Sequence, residues 1–141
     1  MYATKQSIFT SRPRYGQAIK ALGVQKQMLS FKDKILTTDN GELKLPFNIL
    51  DAVASEGALL VIYDYMEFPM NEAAPNLVRI NKKGESLWAA ENPTGSQTDA
   101  YTNFSKTPKV SSGNIAANNF SGYYCVINIS NGKLVNSQFT K

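Results

Sequence analysis

The sequence contains no histidine among its 141 residues, and this absence excludes more chemistry than any other feature of the chain. Neither a Ser-His-Asp triad nor a Cys-His pair can be assembled without it. The commonest general acid–base near neutral pH is also missing. Zinc sites draw mainly on histidine and cysteine, and the chain has one cysteine. We therefore predict a protein that is not an enzyme and that has no metal site and no cofactor.

Cysteine is nearly as scarce, and the single Cys125 excludes an internal disulfide framework. It lies in the apolar stretch from Tyr123 to Ile127. A reactive thiol needs a nearby base, which this chain cannot supply from histidine. We predict that Cys125 is a small buried hydrophobic residue.

Long hydrophobic runs are absent as well. The longest purely apolar run extends only from Ala58 to Tyr63, which suits a buried strand and is far too short to cross a bilayer. No apolar segment follows Met1, so no secretory signal is visible. We expect a cytoplasmic protein with no membrane partner.

Charge is sparse and unevenly distributed. Residues 1–35 carry seven basic groups against Asp33 alone, whereas residues 36–141 carry eight basic and ten acidic groups. A basic segment with interleaved aromatic residues is one signature of nucleic-acid binding, and here its candidate residues are Arg12, Arg14, Tyr15 and Lys20. The acidic body argues against that alternative, so we consider nucleic acid the less favoured partner.

A β-hairpin signal recurs three times, with turn glycines at Gly41, Gly84 and Gly132, which are 43 and 48 residues apart. A period of this length is typical of stacked four-stranded units. Asn-Gly turns favour tight hairpins because both residues tolerate positive φ. The alternating apolar pattern then predicts strands at 26–31, 34–38, 42–46, 49–55, 58–65, 76–81, 85–90, 100–104, 114–119, 122–129 and 133–139.

We predict one mainly β domain over residues 1–141. It consists of two or three four-stranded antiparallel meanders, similar to propeller blades, packed as a sandwich or a partly open barrel. The parts are a basic, irregular N-terminal segment (1–33) with at most one short helix at 15–23, a first hairpin (34–47), and blade-like units at 48–92 and 99–141. Trp88 is expected to pack in the core.

Two stretches carry a resemblance to known proteins. Residues 76–88, with the glycine turn at Gly84 followed by Leu87-Trp88, look like the outer hairpin of a quinoprotein-like β-propeller blade. Residues 48–140 also resemble small uncharacterised bacterial proteins, through Asp99-Ala100-Tyr101 and the closing stretch from Asn119 to Ile127. The resemblance implies a fold type and carries no activity. Two or three blades are too few to close a propeller, which takes 4–8.

The long connection at residues 63–72 is the best candidate for a contact surface. Irregular loops on a β scaffold are often functional, and aromatic residues and methionine are enriched at interfaces. The alternative is that Phe68 and Met70 fold back to cap the sheet. The candidate binding residues are Tyr63, Asp64, Tyr65, Met66, Glu67, Phe68 and Met70.

The favoured hypothesis is a non-catalytic protein that binds a partner protein through this loop, as a small bacterial accessory or mobile-element protein such as an immunity-type inhibitor would. A carboxylate-dependent hydrolase using Asp51, Asp64, Glu67 and Glu72 is a further alternative. The final strand, Leu134 to Phe139, has little charge to protect its edge. We therefore expect it to pair within the fold or to form a homodimer.

Overall fold

The computed structural model describes residues 28–140 and, for the backbone alone, two short strands, β1 (Tyr2–Lys5) and β2 (Ser7–Phe9), which pair as an antiparallel hairpin. The predicted helix at 15–23 lies outside the described residues. So do the nucleic-acid candidates Arg12, Arg14, Tyr15 and Lys20, and both interpretations stay predictions.

Three antiparallel meanders follow in chain order, each with its strands in sequential order. The prediction of a mainly β protein built from antiparallel units is confirmed. The first unit has three strands in the described part of the chain, and the other two have four. The first sheet contains β3 (Ser30–Lys32), β4 (Ile35–Thr38) and β5 (Gly41–Lys44); the middle sheet contains β6 (Ile49–Ser55), β7 (Ala58–Tyr63), β8 (Leu77–Ile80) and β9 (Ser86–Ala89); the last sheet contains β10 (Tyr101–Ser105), β11 (Asn114–Asn119), β12 (Tyr123–Asn128) and β13 (Leu134–Phe139).

The middle sheet lies between the other two, and β7 shows why. Every residue of β7 is buried, and its side chains alternate between faces as strand geometry requires. Leu60 and Ile62 pack with Tyr101 and Ile127 of the last sheet. The neighbouring β7 side chains pack instead against the first sheet, in a second cluster with Leu36. The apolar run predicted to be a buried strand is therefore covered on both faces, in a stack of three sheets.

The β6–β7 turn of the middle sheet contacts the last sheet through the side chain of Glu56. Glu56 has φ 49°, in the left-handed region that few non-glycine residues adopt. Its carboxylate accepts hydrogen bonds from the N–H of Gly113 at 2.8 Å and the hydroxyl of Ser112 at 3.3 Å. These charge-assisted bonds offset the backbone cost, which is about 1 kcal/mol. The β6–β7 turn is thereby fixed against the β10–β11 connection.

Trp88 lies at the border of the core between the middle and last sheets. Its indole N–H donates to the carbonyl of Ile129 at 3.0 Å, and its ring covers Gly132. In the same way, the side chain of Leu45 in the first unit packs on Gly84 of the middle unit. Leu45 and Trp88 each lie four residues after a turn glycine, Gly41 and Gly84. Equivalent positions of the first and middle units therefore contact the next unit along the chain.

Candidate functional site

The loop between β7 and β8 begins with a single 3-10 turn, η1 (Tyr65–Glu67). Asp64 caps this turn, because its side chain accepts a hydrogen bond from the N–H of Met66 at 2.9 Å. Phe68 closes it by donating its N–H to the carbonyl of Tyr65 at 3.1 Å. The first half of the predicted contact loop thus has a defined backbone.

Other predicted residues hold the loop to the body. Glu67 accepts a hydrogen bond from the N–H of Asn48 at 2.7 Å. Phe47 lies between Tyr63 and Phe68, with ring centroids 5.3 and 4.6 Å away, and all three aromatic residues join the cluster between the first and middle sheets. Phe68 therefore folds back, as the alternative interpretation predicted, whereas Met70 does not.

Met66 and Met70 are the exposed large hydrophobic side chains of the loop, at 64% and 70%. They border a pocket of about 250 Å³ together with Tyr65 and Pro69. Phe120, in the β11–β12 turn, also lines the pocket, and its ring centroid lies 5.6 Å from that of Tyr65. The structure therefore brings Tyr65, Met66 and Met70 together at one site, and places Tyr63, Asp64, Glu67 and Phe68 as its supports.

Sequence reasoning missed Phe120 as a wall of this site. The signal that could have found it is its context, because a large aromatic directly before Ser121-Gly122 stands where turns normally carry polar residues. Phe120 remains 50% exposed in the structure. Its backbone is fixed through a hydrogen bond from its N–H to the carbonyl of Ala100 at 2.7 Å.

The floor of the pocket is a buried polar network centred on Asp99, which is 1% exposed. One carboxylate oxygen accepts from the N–H and the hydroxyl of Thr94, at 2.8 and 2.7 Å, and the other accepts from the side-chain amide of Asn119. The carbonyl of Asp99 also accepts from the N–H of Ala74 at 2.9 Å. Asp99 and Asn119 belong to the two stretches that resemble small uncharacterised bacterial proteins, and their hydrogen bond fixes the backbone beneath the pocket.

Asn76 joins the middle and last sheets behind this floor, and it is fully buried. Its amide donates to the carbonyls of Tyr63 and Tyr101, both at 2.8 Å, and its carbonyl accepts from the N–H of Tyr101 at 2.9 Å. The side-chain amide of Asn76 thus makes three hydrogen bonds in an apolar setting, where the low dielectric strengthens each of them.

Cys125 and Tyr101 are buried next to one another in the core below. Burial raises the pKa of the Cys125 thiol to about 11, and burial likewise raises the pKa of the Tyr101 phenol. The thiol therefore stays protonated at neutral pH and has none of the thiolate character that reactivity requires. Its predicted role as a buried apolar residue agrees with this environment.

These raised pKa values lead us to expect a loss of stability in alkaline solution. An unfolded Cys125 ionises near its ordinary pKa of 9.0, whereas the folded thiol stays neutral to about pH 11. The contribution is fully present below pH 9 and is lost as the pH rises from 9 to 11, by about 2 kcal/mol. Urea unfolding at pH 8, 9, 10 and 11 measures it. A Cys125→Ala variant should lose less stability than the wild type between pH 9 and 10. Equal slopes for the two proteins would contradict this expectation.

The carboxylates of the hydrolase alternative are dispersed among structural roles. Asp51 accepts from the N–H groups of Ala52 and Phe104, at 2.9 and 2.8 Å, while Asp64 and Glu67 bind the backbone groups given above. Glu72 lies at the rim of the pocket. Within residues 28–140 no three Asp, Glu, Cys or His side chains are grouped as a metal site. The hydrolase alternative stays an untested prediction.

The fold defines the class of this protein as an all-β domain of stacked antiparallel meanders. Residues 26–139 match a family described as a domain of unknown function, DUF7957, and the chain belongs to that family. No curated protein matches the sequence. In the part of the chain that the structure describes, no helix has the length and apolar character needed to cross a membrane.

Proposed function

We propose that this protein is a non-catalytic binding module that receives one apolar side chain of a partner protein in the pocket between the 63–72 loop and Phe120. The observation that carries the proposal is the clustering of three large exposed apolar side chains, Met66, Met70 and Phe120, around a single concave site. Scattered exposed hydrophobic residues are ordinary, whereas a contiguous group around a pocket is typical of interaction sites.

The size of the pocket supports a side chain over a larger ligand. Small-molecule sites usually measure about 300–1,000 Å³, and this pocket, at about 250 Å³, falls below that range. An aromatic side chain of a partner is of the right scale. Anchors of this kind, filling a pocket within an interface, carry most of the energy in many protein complexes.

The walls combine rigidity with adaptability. Tyr65 belongs to the capped turn, and Phe120 is held by its backbone bond to Ala100. Met66 and Met70 are unbranched and can adjust to the shape of what enters. A preorganised floor with methionine at the rim lowers the entropic cost of binding while allowing some variation in the ligand.

Charge favours a basic neighbour beside the anchoring side chain. Of the described residues that line the pocket, only Glu72 and Asp99 carry charge. The Asp99 carboxylate is engaged in its own network, so Glu72 is the group available to a partner. We therefore propose a partner segment in which an aromatic residue is followed by lysine or arginine.

The test uses two synthetic probes, acetyl-Trp-Arg-amide and acetyl-Trp-Glu-amide, titrated into protein with ¹³C-labelled methionine methyl groups. We expect saturable shifts of Met66 and Met70 with the Arg probe and weaker binding of the Glu probe. Met28 is 76% exposed and does not line this pocket, so its methyl signal serves as the internal control. Shifts that do not saturate, or that affect Met28 equally, would show non-specific contact and sink the proposal.

A pair of variants sharpens the same experiment. Phe120→Ala removes a wall and should weaken binding of the Arg probe about tenfold, as truncation of an anchor contact usually does. Leu87→Ala removes a similarly exposed residue of β9, 54% accessible, and should leave the affinity unchanged. Equal effects of the two substitutions would remove Phe120 from the site.

The biological setting that we propose is a small bacterial accessory protein, for which an immunity-type inhibitor that covers a partner's surface is one fitting role. The likeness of the units to quinoprotein-type propeller blades is also a proposal. It is supported by the equal offset of Leu45 and Trp88 from their turn glycines and by the glycine of the following unit that packs on each.

A further inference from the structure

The outer edge of the last sheet is a second surface, remote in the chain from the pocket loop. β13 is the last strand in the order of its sheet and pairs with β12. No other strand among the described residues hydrogen-bonds to its outer edge. An edge of this kind presents a row of backbone donors and acceptors.

The register identifies which groups point outward. The N–H of Thr140 donates to the carbonyl of Gly122 at 2.8 Å, and Phe139 lies opposite Tyr123. Hydrogen-bonded and non-bonded pairs alternate along an antiparallel ladder. Gln138 is therefore bonded to β12, whereas Ser137 and Phe139 direct their N–H and C=O groups to the open side.

The corresponding edges of the other sheets differ from this one. β5 is a four-residue strand that carries Glu42 and Lys44, and β9 is also limited to four residues. β13 has six residues, Leu-Val-Asn-Ser-Gln-Phe, without charge or proline. Natural edges are commonly protected by charge, proline, short length or a β-bulge. β13 has no charge, no proline and six residues, and its one register shift lies near its start, at Val135, so Asn136 to Phe139 remain in regular register with β12.

We propose that β13 pairs antiparallel with β13 of a second copy of this chain, about a two-fold axis at Ser137. Two features favour a second copy. The strand has no charge that would meet its own like charge across the axis. The axis also places Phe139 opposite Val135 of the other copy, and both are 56% exposed in the single chain. An aromatic residue facing a β-branched residue is a favourable cross-strand pair.

The experiment compares self-association of wild type and two proline variants by analytical ultracentrifugation. Ser137→Pro removes an outward N–H at the axis, and both copies lose it, so we expect at least tenfold weaker association. Glu42→Pro is the matched control. Leu45 donates its N–H to Lys34 at 2.8 Å, so by the same alternation Glu42 of β5 also points its N–H outward. The Glu42→Pro substitution should therefore leave self-association unchanged.

Ser137→Lys gives a second route if the proline variant does not fold, because it keeps the backbone and places like charges together at the axis. We expect it to be monomeric. Hydrogen exchange should show the amides of Ser137 and Phe139 protected at concentrations where the dimer forms and exposed on dilution. A wild type that is monomeric at every concentration overturns the proposal. Protection of those amides within a monomer would assign the edge to another segment of the same chain and overturn it equally.

Discussion

Replacing Asn76 by alanine is expected to lower the free energy of unfolding by about 3–5 kcal/mol, as measured by urea denaturation. The substitution leaves two carbonyls, of Tyr63 and Tyr101, and the N–H of Tyr101 without their partner at a fully buried position. Each unsatisfied buried group costs about 1–3 kcal/mol. The junction between the middle and last sheets should therefore become the weakest part of the stack.

Two further variants separate the causes of that loss. Asn76→Leu keeps most of the side-chain volume while it removes the amide, so a similar loss would assign the effect to hydrogen bonding and not to a cavity. Asn40→Ala changes an exposed asparagine outside both the junction and β13 and is expected to alter stability by less than about 0.5 kcal/mol. Losses below about 1.5 kcal/mol for both Asn76 variants would mean that this residue does not hold the junction.

Most strands could be predicted because their signals are local. Alternation of apolar residues and turns rich in glycine and asparagine are properties of neighbouring residues. The predicted strands at 49–55 and 114–119 match β6 and β11. Of the predicted strand at 26–31, residues 26 and 27 lie outside the described residues, and β3 covers Ser30–Lys32.

The links between distant residues could not be predicted in the same way. Asn76 is read from the sequence as the first residue of a strand, and nothing around it indicates a partner 25 residues away. The pairing of Asp99 with Asn119 likewise depends on how two units stack. The candidate loop was found through its composition, but composition cannot separate Met66, which faces solvent, from Phe68, which packs inward.

The second large effect is expected at Gly132, where alanine should destabilise the protein by about 2–4 kcal/mol. A Cβ at this position would lie 2.5 Å from Cε3 and 2.7 Å from Cδ2 of Trp88, and φ is +76°, in the region that favours glycine. The indole cannot easily retreat, because its N–H is bonded to Ile129 and its ring packs against the core.

Two other glycines provide matched controls for backbone strain. Gly57 has φ +80°, and no atom lies within 4 Å of the place that a new methyl group would take, so Gly57→Ala should cost only the conformational term, about 1 kcal/mol. At Gly84 the nearest atom is Cδ2 of Leu45 at 3.0 Å, the end of a flexible side chain that can shift. Thermal and urea unfolding should therefore rank the losses, from smallest to largest, as Gly57→Ala, then Gly84→Ala, then Gly132→Ala.

A double-mutant cycle tests whether the indole is the cause. In a Trp88→Leu background the ring that the new methyl group would overlap is absent, so Gly132→Ala should then cost about as much as Gly57→Ala. The coupling between positions 88 and 132 would measure how strongly the middle and last units are joined at their outer hairpins. If Gly132→Ala costs no more than Gly57→Ala in the wild type, the ring yields without penalty. Trp88 would then fill space between the middle and last units without fixing how they stack.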